Sequence, residues 1–157
     1  MTSPVLSPQM RTLLADTLAL AHCGGEGDDV HHDHLTAEEI RSAITAYHYV
    51  DGHVEIARIA AEALRIMYGP HPNPKPELTF GLKETDTAMR YAGQMVTTQF
   101  NRQPATARAI AQALFTHPED DRRDACTALM FVCADMVMSA AHTQRVPPLQ
   151  ALAALMG

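Results

Sequence analysis

The sequence predicts an all-α protein, a compact bundle of six or seven helices around a nearly central apolar helix at about residues 121–142. Its composition points this way because alanine, the strongest helix former, is abundant and methionine, which fills irregular gaps between helices, occurs nine times. Tryptophan is absent and aromatic residues make up only 5% of the chain. At 157 residues and 46% hydrophobic content, the chain is long enough for one well-buried core, so residues 1–157 are predicted to form a single domain.

Helix signals occur in order along the first half of the chain. Ser7-Pro8 combines a capping residue with a proline in the first turn, and Gly24-Gly25 ends the apolar spacing that follows. Thr36-Ala37-Glu38-Glu39 is a capping box that predicts a second helix with an apolar stripe reaching Tyr47. Asp51-Gly52 predicts a break or a kink, and a further helix is predicted from Val54 to Tyr68.

A connector at residues 69–77 separates the two halves, because its alternating prolines favour an extended strut that cannot be helical. Beyond it, helices are predicted to begin at Thr85 or Asp86 and at Pro104. The span from Asp121 to His142 is apolar nearly all round, which is typical of the central helix of a bundle. Pro147-Pro148 should end it, leaving a short amphipathic helix from Leu149 to Met156.

The chemically richest part of the chain is an acidic, histidine-rich loop at residues 23–35, which we call the acidic segment. No lysine or arginine occurs between Arg11 and Arg41, whereas seven carboxylates do. The candidate ligands for zinc or another divalent transition metal are His31, His32, His34, Asp28 and Cys23. These residues are adjacent and in a predicted loop rather than in separated ligand pairs, so a solvated loop that needs no cofactor is the preferred interpretation.

Two features indicate binding to a protein partner. The carboxylates Glu26, Asp28, Asp29 and Asp33 would attract a basic partner, because an acidic surface steers association with a protein of opposite charge. The candidate apolar anchors are Leu149, Leu152, Leu155 and Met156, which form a ridge that docks either on a neighbouring subunit or on the chain's own core. A homodimer is therefore a second prediction for the partner.

Polar residues also interrupt otherwise apolar helices. One face of the predicted central helix carries Asp124, Phe131, Asp135, Met138, Ser139 and His142. We interpret it as the helix's solvent-exposed edge, with Asp135 as an intrahelical salt-bridge acceptor or a site acid as the alternative. His48 and His53 are interpreted as a partly buried polar seam at a helix junction. A pH-sensitive contact is the alternative there, since six of the nine histidines lie between His22 and His53.

Composition and motifs disfavour several classes of function. Three cysteines are too few for a disulfide scaffold and predict a reduced, cytoplasmic protein, and no membrane span is expected. A net charge of −6 disfavours nucleic-acid binding, and neither glycine-rich nucleotide loops nor a nucleophile elbow occur. We therefore expect a non-catalytic interaction protein, such as a small bacterial or phage adaptor, inhibitor or assembly component. The alternative is a metal-binding protein or metal-dependent hydrolase that uses the His/Asp cluster at residues 28–34.

Overall fold

A computed structural model of the chain describes residues 7–22, 39, 50–69 and 87–156. These residues contain helices and no strands, which confirms the all-α prediction. The helices are α1 (Pro8–His22), α2 (Val50–Tyr68), α3 (Thr87–Phe100), α4 (Pro104–Leu114), α5 (Glu119–Gln144) and α6 (Pro148–Met156). The acidic segment, the helix predicted from the capping box and residues 70–77 of the connector lie outside the described residues, apart from Glu39, which is helical.

The central position predicted for the apolar helix is confirmed. The 26-residue helix α5 packs against α1, α2, α3 and α6, while α4 packs against α2 and α3. Its ends fall two residues outside the predicted span on either side. The largest fully buried apolar side chains come from five helices and are Met10, Leu14, Leu18, Ile56, Ile59, Met95, Leu129, Met130 and Leu152. Small residues complete this core, because four alanines of α2 are fully buried and let neighbouring helices approach closely: Ala57, Ala60, Ala61 and Ala63.

The helix ends follow the capping chemistry of the sequence. The Oγ of Ser7 accepts a hydrogen bond of 3.2 Å from the backbone N–H of Met10, as expected for a capping serine. At the other end of α5, Arg145 adopts a left-handed conformation with φ of 59°, and the N–H of Val146 donates to the carbonyl of Ala141 at 3.0 Å. That arrangement satisfies carbonyls of the last turn and reverses the chain directly before the prolines.

The predicted start of α2 at Val54 is wrong, because the helix already includes Asp51 and Gly52. Contacts with other helices hold this first turn in place. The Asp51 carboxylate accepts a hydrogen bond from the Arg108 guanidinium in α4, and the side-chain amide of Gln99 in α3 donates to the carbonyl of Val54 at 3.0 Å. These contacts offset the low helix propensity of glycine, which is about 1 kcal/mol less favourable than alanine.

Helix α5 also passes a length and composition test for a membrane-crossing helix, the only one among the described helices to do so. Its most apolar 18-residue window has a mean hydropathy of 1.5, and 56% of that window is buried against the rest of the bundle. A central core helix has the same composition, so hydropathy alone does not separate the two interpretations.

Candidate interaction surface

The predicted site residues fall into two groups in the structure. Every predicted ligand and carboxylate of the acidic segment lies outside the described residues, so the metal-site and acidic-loop hypotheses stay predictions. Within the described part of the chain, no group of three or more histidine, cysteine, aspartate or glutamate side chains is placed to hold a metal ion. The second group, on α6, is described in full.

Helix α6 docks on the chain's own core, but not with all of its predicted anchors. Leu152 is 2% exposed, whereas Leu155 and Met156 are half-buried against the core and Leu149 is 56% exposed. The guanidinium of Arg58 in α2 donates a hydrogen bond of 3.0 Å to the carbonyl of Leu155, which fixes the end of α6 against α2. Of the four predicted anchors, Leu149 therefore remains the most available to a partner.

An open cavity of about 610 Å³ lies where α2 and α5 end and α6 begins. Its lining includes Met67 from α2, Met138 from α5, and Val146 and Pro148 from the turn into α6. Both helices end here through residues with positive φ, Gly69 at 87° and Arg145 at 59°. Because the helices stop instead of packing onward, their last turns leave an unfilled hollow between them.

The two large apolar side chains that are most exposed among the described residues directly follow residues of this cavity in the sequence. Tyr68, which is 52% exposed, follows Met67, and Leu149 follows Pro148. We call the set of Met67, Tyr68, Met138, Val146 and Leu149 the apolar end surface. Sequence reasoning missed its α2 side, although an aromatic residue directly before Gly69-Pro70 was a usable signal.

Among the described residues, few charged side chains lie close in sequence to the apolar end surface, and they have both signs, since the exposed Arg145 directly precedes Val146. Of the described residues that line the cavity, none is a carboxylate and His142 is the one with a titratable side chain. Asp135 precedes Met138 by three residues, so it lies about one turn away on the same face of α5. Its carboxylate is exposed, forms no ion pair with a described residue, and has a pKa raised by partial burial. The polar members of this predicted face are exposed, since Asp124, Ser139 and His142 are exposed as well, whereas Phe131 and Met138 on the same face are partly buried against the core.

Several side chains that often act as nucleophiles are part of the core instead. Cys126 and Cys133 are free thiols with no exposed surface, and burial raises the pKa of both. Because the thiolate is the reactive form of cysteine, neither side chain is prepared for nucleophilic attack. Burial also raises the pKa of Tyr91. These residues therefore stabilise the bundle.

His53 lies much deeper than the sequence predicted. It has no exposed surface, and its Nδ1 shares a hydrogen bond of 2.7 Å with the hydroxyl of Tyr91 in α3. The edge of its ring also meets Phe115, with the ring centroids 5.2 Å apart. For His53 the prediction of partial burial is wrong, because a tyrosine 38 residues away gives its buried Nδ1 a hydrogen-bond partner. His48, the other predicted member of the seam, lies outside the described residues.

Comparison with known proteins gives no match from which a function could be inferred. No protein-family model matches the chain, and neither a curated protein nor a solved structure matches it. The function is therefore argued below from the chain's own residues.

Proposed function

We propose that this chain is a non-catalytic interaction protein that binds an amphipathic, basic helix of a different protein on its apolar end surface. The observation that carries the proposal is an open cavity of about 610 Å³ lined by Met67, Met138 and Val146, with exposed Tyr68 and Leu149 each next in the chain to a lining residue. Such a hollow accepts apolar side chains at helical spacing, as in other complexes where a helix lies in a groove. An adaptor, an inhibitor or an assembly component would work in this way.

The apolar part of the surface would supply most of the affinity. Complete burial of a leucine side chain is worth about 1.5–3 kcal/mol, so covering the exposed half of Leu149 contributes about 1 kcal/mol. Tyrosine is common at the centre of interfaces because it combines a large apolar ring with a polar hydroxyl. Met67 and Met138 have flexible, unbranched side chains that adapt to the shape of a bound helix.

Electrostatics favours a partner with a basic flank. The chain has a net charge of −6, and Asp135 lies about one turn from Met138 with no cation among the described residues to pair with it. Since partial burial already raises the pKa of this carboxyl, a lysine or arginine of the partner would stabilise its ionised form. The acidic segment would add to the attraction and increase the rate of association. We place this interaction in the cytoplasm, where buried cysteines such as Cys126 and Cys133 stay reduced.

Site-specific photo-crosslinking of the full chain in its native cells tests the proposal. The photoreactive residue p-benzoylphenylalanine replaces Leu149 or, in a second variant, Tyr68. A matched control carries it at Gln112, an exposed position on α4 that lines no described cavity. We expect both surface positions to give an adduct with the same second protein, and the control position to give none. Identification of the adduct by mass spectrometry should locate the crosslink on a helix with one apolar and one basic face.

The charge requirement is tested in the same cells. Asp135→Asn should reduce the yield of the Leu149 adduct several-fold, because it removes the carboxylate that would pair with the partner. Equal adducts at Gln112 and Leu149, or no adduct at either surface position, would overturn the proposal. An adduct with twice the mass of the chain would replace it with the homodimer.

A further inference from the structure

A second cavity, at the opposite end of α5, is separate from the apolar end surface. It has a volume of about 800 Å³ and opens between α3, α4 and the first turns of α5. Small-molecule sites in proteins range over about 300–1,000 Å³, so the cleft has the volume of a ligand site and is larger than a single bound amino acid would fill. None of its lining residues belongs to the apolar end surface.

The cleft follows from how the three helices pack. Helix α4 packs against α2 and α3, and a short turn at residues 115–118 connects it to α5 without extensive packing between the two. The walls that face the opening also carry small side chains, Ala88 on α3, Ala113 on α4 and Ala125 on α5. These methyl groups leave unfilled a space that larger residues would close.

The cleft has an apolar part, and its charged lining residues have opposite signs on opposite helices: Arg90 on α3, and Asp121 and Asp124 on α5, with His117 in the turn before α5. Ile110 and Leu114 of α4 provide the aliphatic part of the lining. Arg90 lies on the α3 wall and Asp121 on the α5 wall, and both are exposed. Neither of these two side chains forms an ion pair with a described residue. Asp121 lies in the first turn of α5, where the helix dipole stabilises a carboxylate.

We infer that the cleft binds a short apolar peptide with free termini. The peptide carboxylate would accept paired hydrogen bonds from the Arg90 guanidinium, whose planar fork matches a carboxylate. Its terminal ammonium would bind the Asp121 carboxylate, and its apolar side chains would cover Ile110 and Leu114. A purely cationic ligand would be repelled by Arg90 and a purely anionic ligand by Asp121, so a ligand that carries both charges fits this lining best.

Calorimetric titration of the full chain with trileucine tests this inference. Two blocked forms of the same peptide serve as probes, one N-acetylated and one amidated at the carboxyl end. We expect the free peptide to bind with a Kd of about 1 mM or lower and each blocked form to bind about tenfold more weakly, because each lacks one charge-assisted contact.

Two variants assign each terminus to its own wall. Arg90→Gln should weaken the free peptide about tenfold and make the chain bind the amidated and free forms equally well. Asp121→Asn should instead reduce the difference between the N-acetylated and free forms, with Asp124 as the carboxylate that remains in the lining. The matched controls are Arg102→Gln and Asp120→Asn, which change exposed residues of the same types outside the cleft and should leave both preferences intact.

Three results would overturn the inference: no heat of binding at about 5 mM peptide, equal binding of the free and both blocked peptides, or equal effects of the control and cleft variants. A preference that is undiminished in Arg90→Gln and Asp121→Asn would place the peptide elsewhere on the protein. Because none of these outcomes depends on the apolar end surface, failure here leaves the proposed function unchanged.

Discussion

Removing one hydroxyl, in Tyr91→Phe, should destabilise the bundle measurably. The hydroxyl shares a 2.7 Å hydrogen bond with Nδ1 of His53, and the two side chains are 7% and 0% exposed. Phenylalanine keeps the ring, so the edge contact with the imidazole, at 5.9 Å between centroids, is preserved. The substitution therefore isolates the hydrogen bond between α2 and α3 from the packing around it.

The magnitude follows from the burial of both partners. A hydrogen bond contributes about 0.5–1.5 kcal/mol net, but a buried group that loses its partner also retains the cost of its desolvation, about 1–3 kcal/mol. We expect a loss of about 2 kcal/mol in the free energy of unfolding. For a chain of this length, each kcal/mol lowers Tm by about 2–4 °C, so Tm should fall by about 4–8 °C.

Urea denaturation followed by circular dichroism measures this loss directly. The matched control is Tyr68→Phe, since Tyr68 is 52% exposed and removal of its hydroxyl should change stability by less than about 0.5 kcal/mol. If Tyr91→Phe were as stable as the control, the buried hydrogen bond would contribute nothing net and the reasoning would be refuted. An unchanged slope of the unfolding transition would show that the denatured state is the same in both variants.

Three further predictions concern other parts of the chain. Leu152→Ala should cost about 2–5 kcal/mol in urea denaturation because it opens a cavity in the core, whereas exposed Leu149→Ala should change stability by less than about 0.5 kcal/mol, and equal losses would contradict the docking of α6. The raised pKa of Asp135 means that the folded state holds this proton more tightly than the unfolded state, so stability falls as pH rises through the interval between the two pKa values. At neutral pH, Asp135→Asn should therefore unfold at a higher urea concentration than the wild type, and in strong acid the two should unfold at the same concentration. If the wild type instead unfolded at the higher urea concentration at neutral pH, the folded state would stabilise the charged carboxylate. Elemental analysis of protein purified without chelator should find no bound metal, and alanine at the three histidines of residues 31–34 should leave Tm unchanged; stoichiometric zinc, nickel or copper that this change removes would support the metal-binding alternative.

The sequence predicted the helices well where local signals and composition agree. The apolar run of α5 and the cap at Ser7 were sufficient to place their helices within about two residues, which is the usual uncertainty of helix ends. The start of α2 was misplaced because local propensity favoured a break at Gly52. The contacts that preserve the helix there, from Arg108 and Gln99, come from residues more than 40 positions away.

The candidate surface was only partly predictable for the same reason. A pattern of leucines in α6 shows that one face is apolar, but it does not show which residues the chain's own core will cover. The structure assigns Leu152 to the core and leaves Leu149 exposed. The two cavities were not predictable from the sequence, because each depends on where packed helices stop or diverge in space, which no local pattern specifies.

The two proposed sites lie far enough apart to be tested independently. Thirteen residues separate Ala125 of the cleft from Met138 of the apolar end surface, about 20 Å along α5 at 1.5 Å per residue. This distance exceeds the Debye length of about 8 Å at physiological salt, so a charge change at one site is screened at the other. A substitution at one site and a substitution at the other should therefore change the binding of either ligand, the partner helix or the peptide, by independent amounts that add in the double variant. One chain of contacts could couple the two sites. Tyr91 lines the cleft and is hydrogen-bonded to His53 in α2, and α2 ends at Tyr68 in the apolar end surface. If peptide in the cleft changes the yield of the Leu149 adduct, Tyr91→Phe should abolish that change, since it breaks the hydrogen bond that links the two helices.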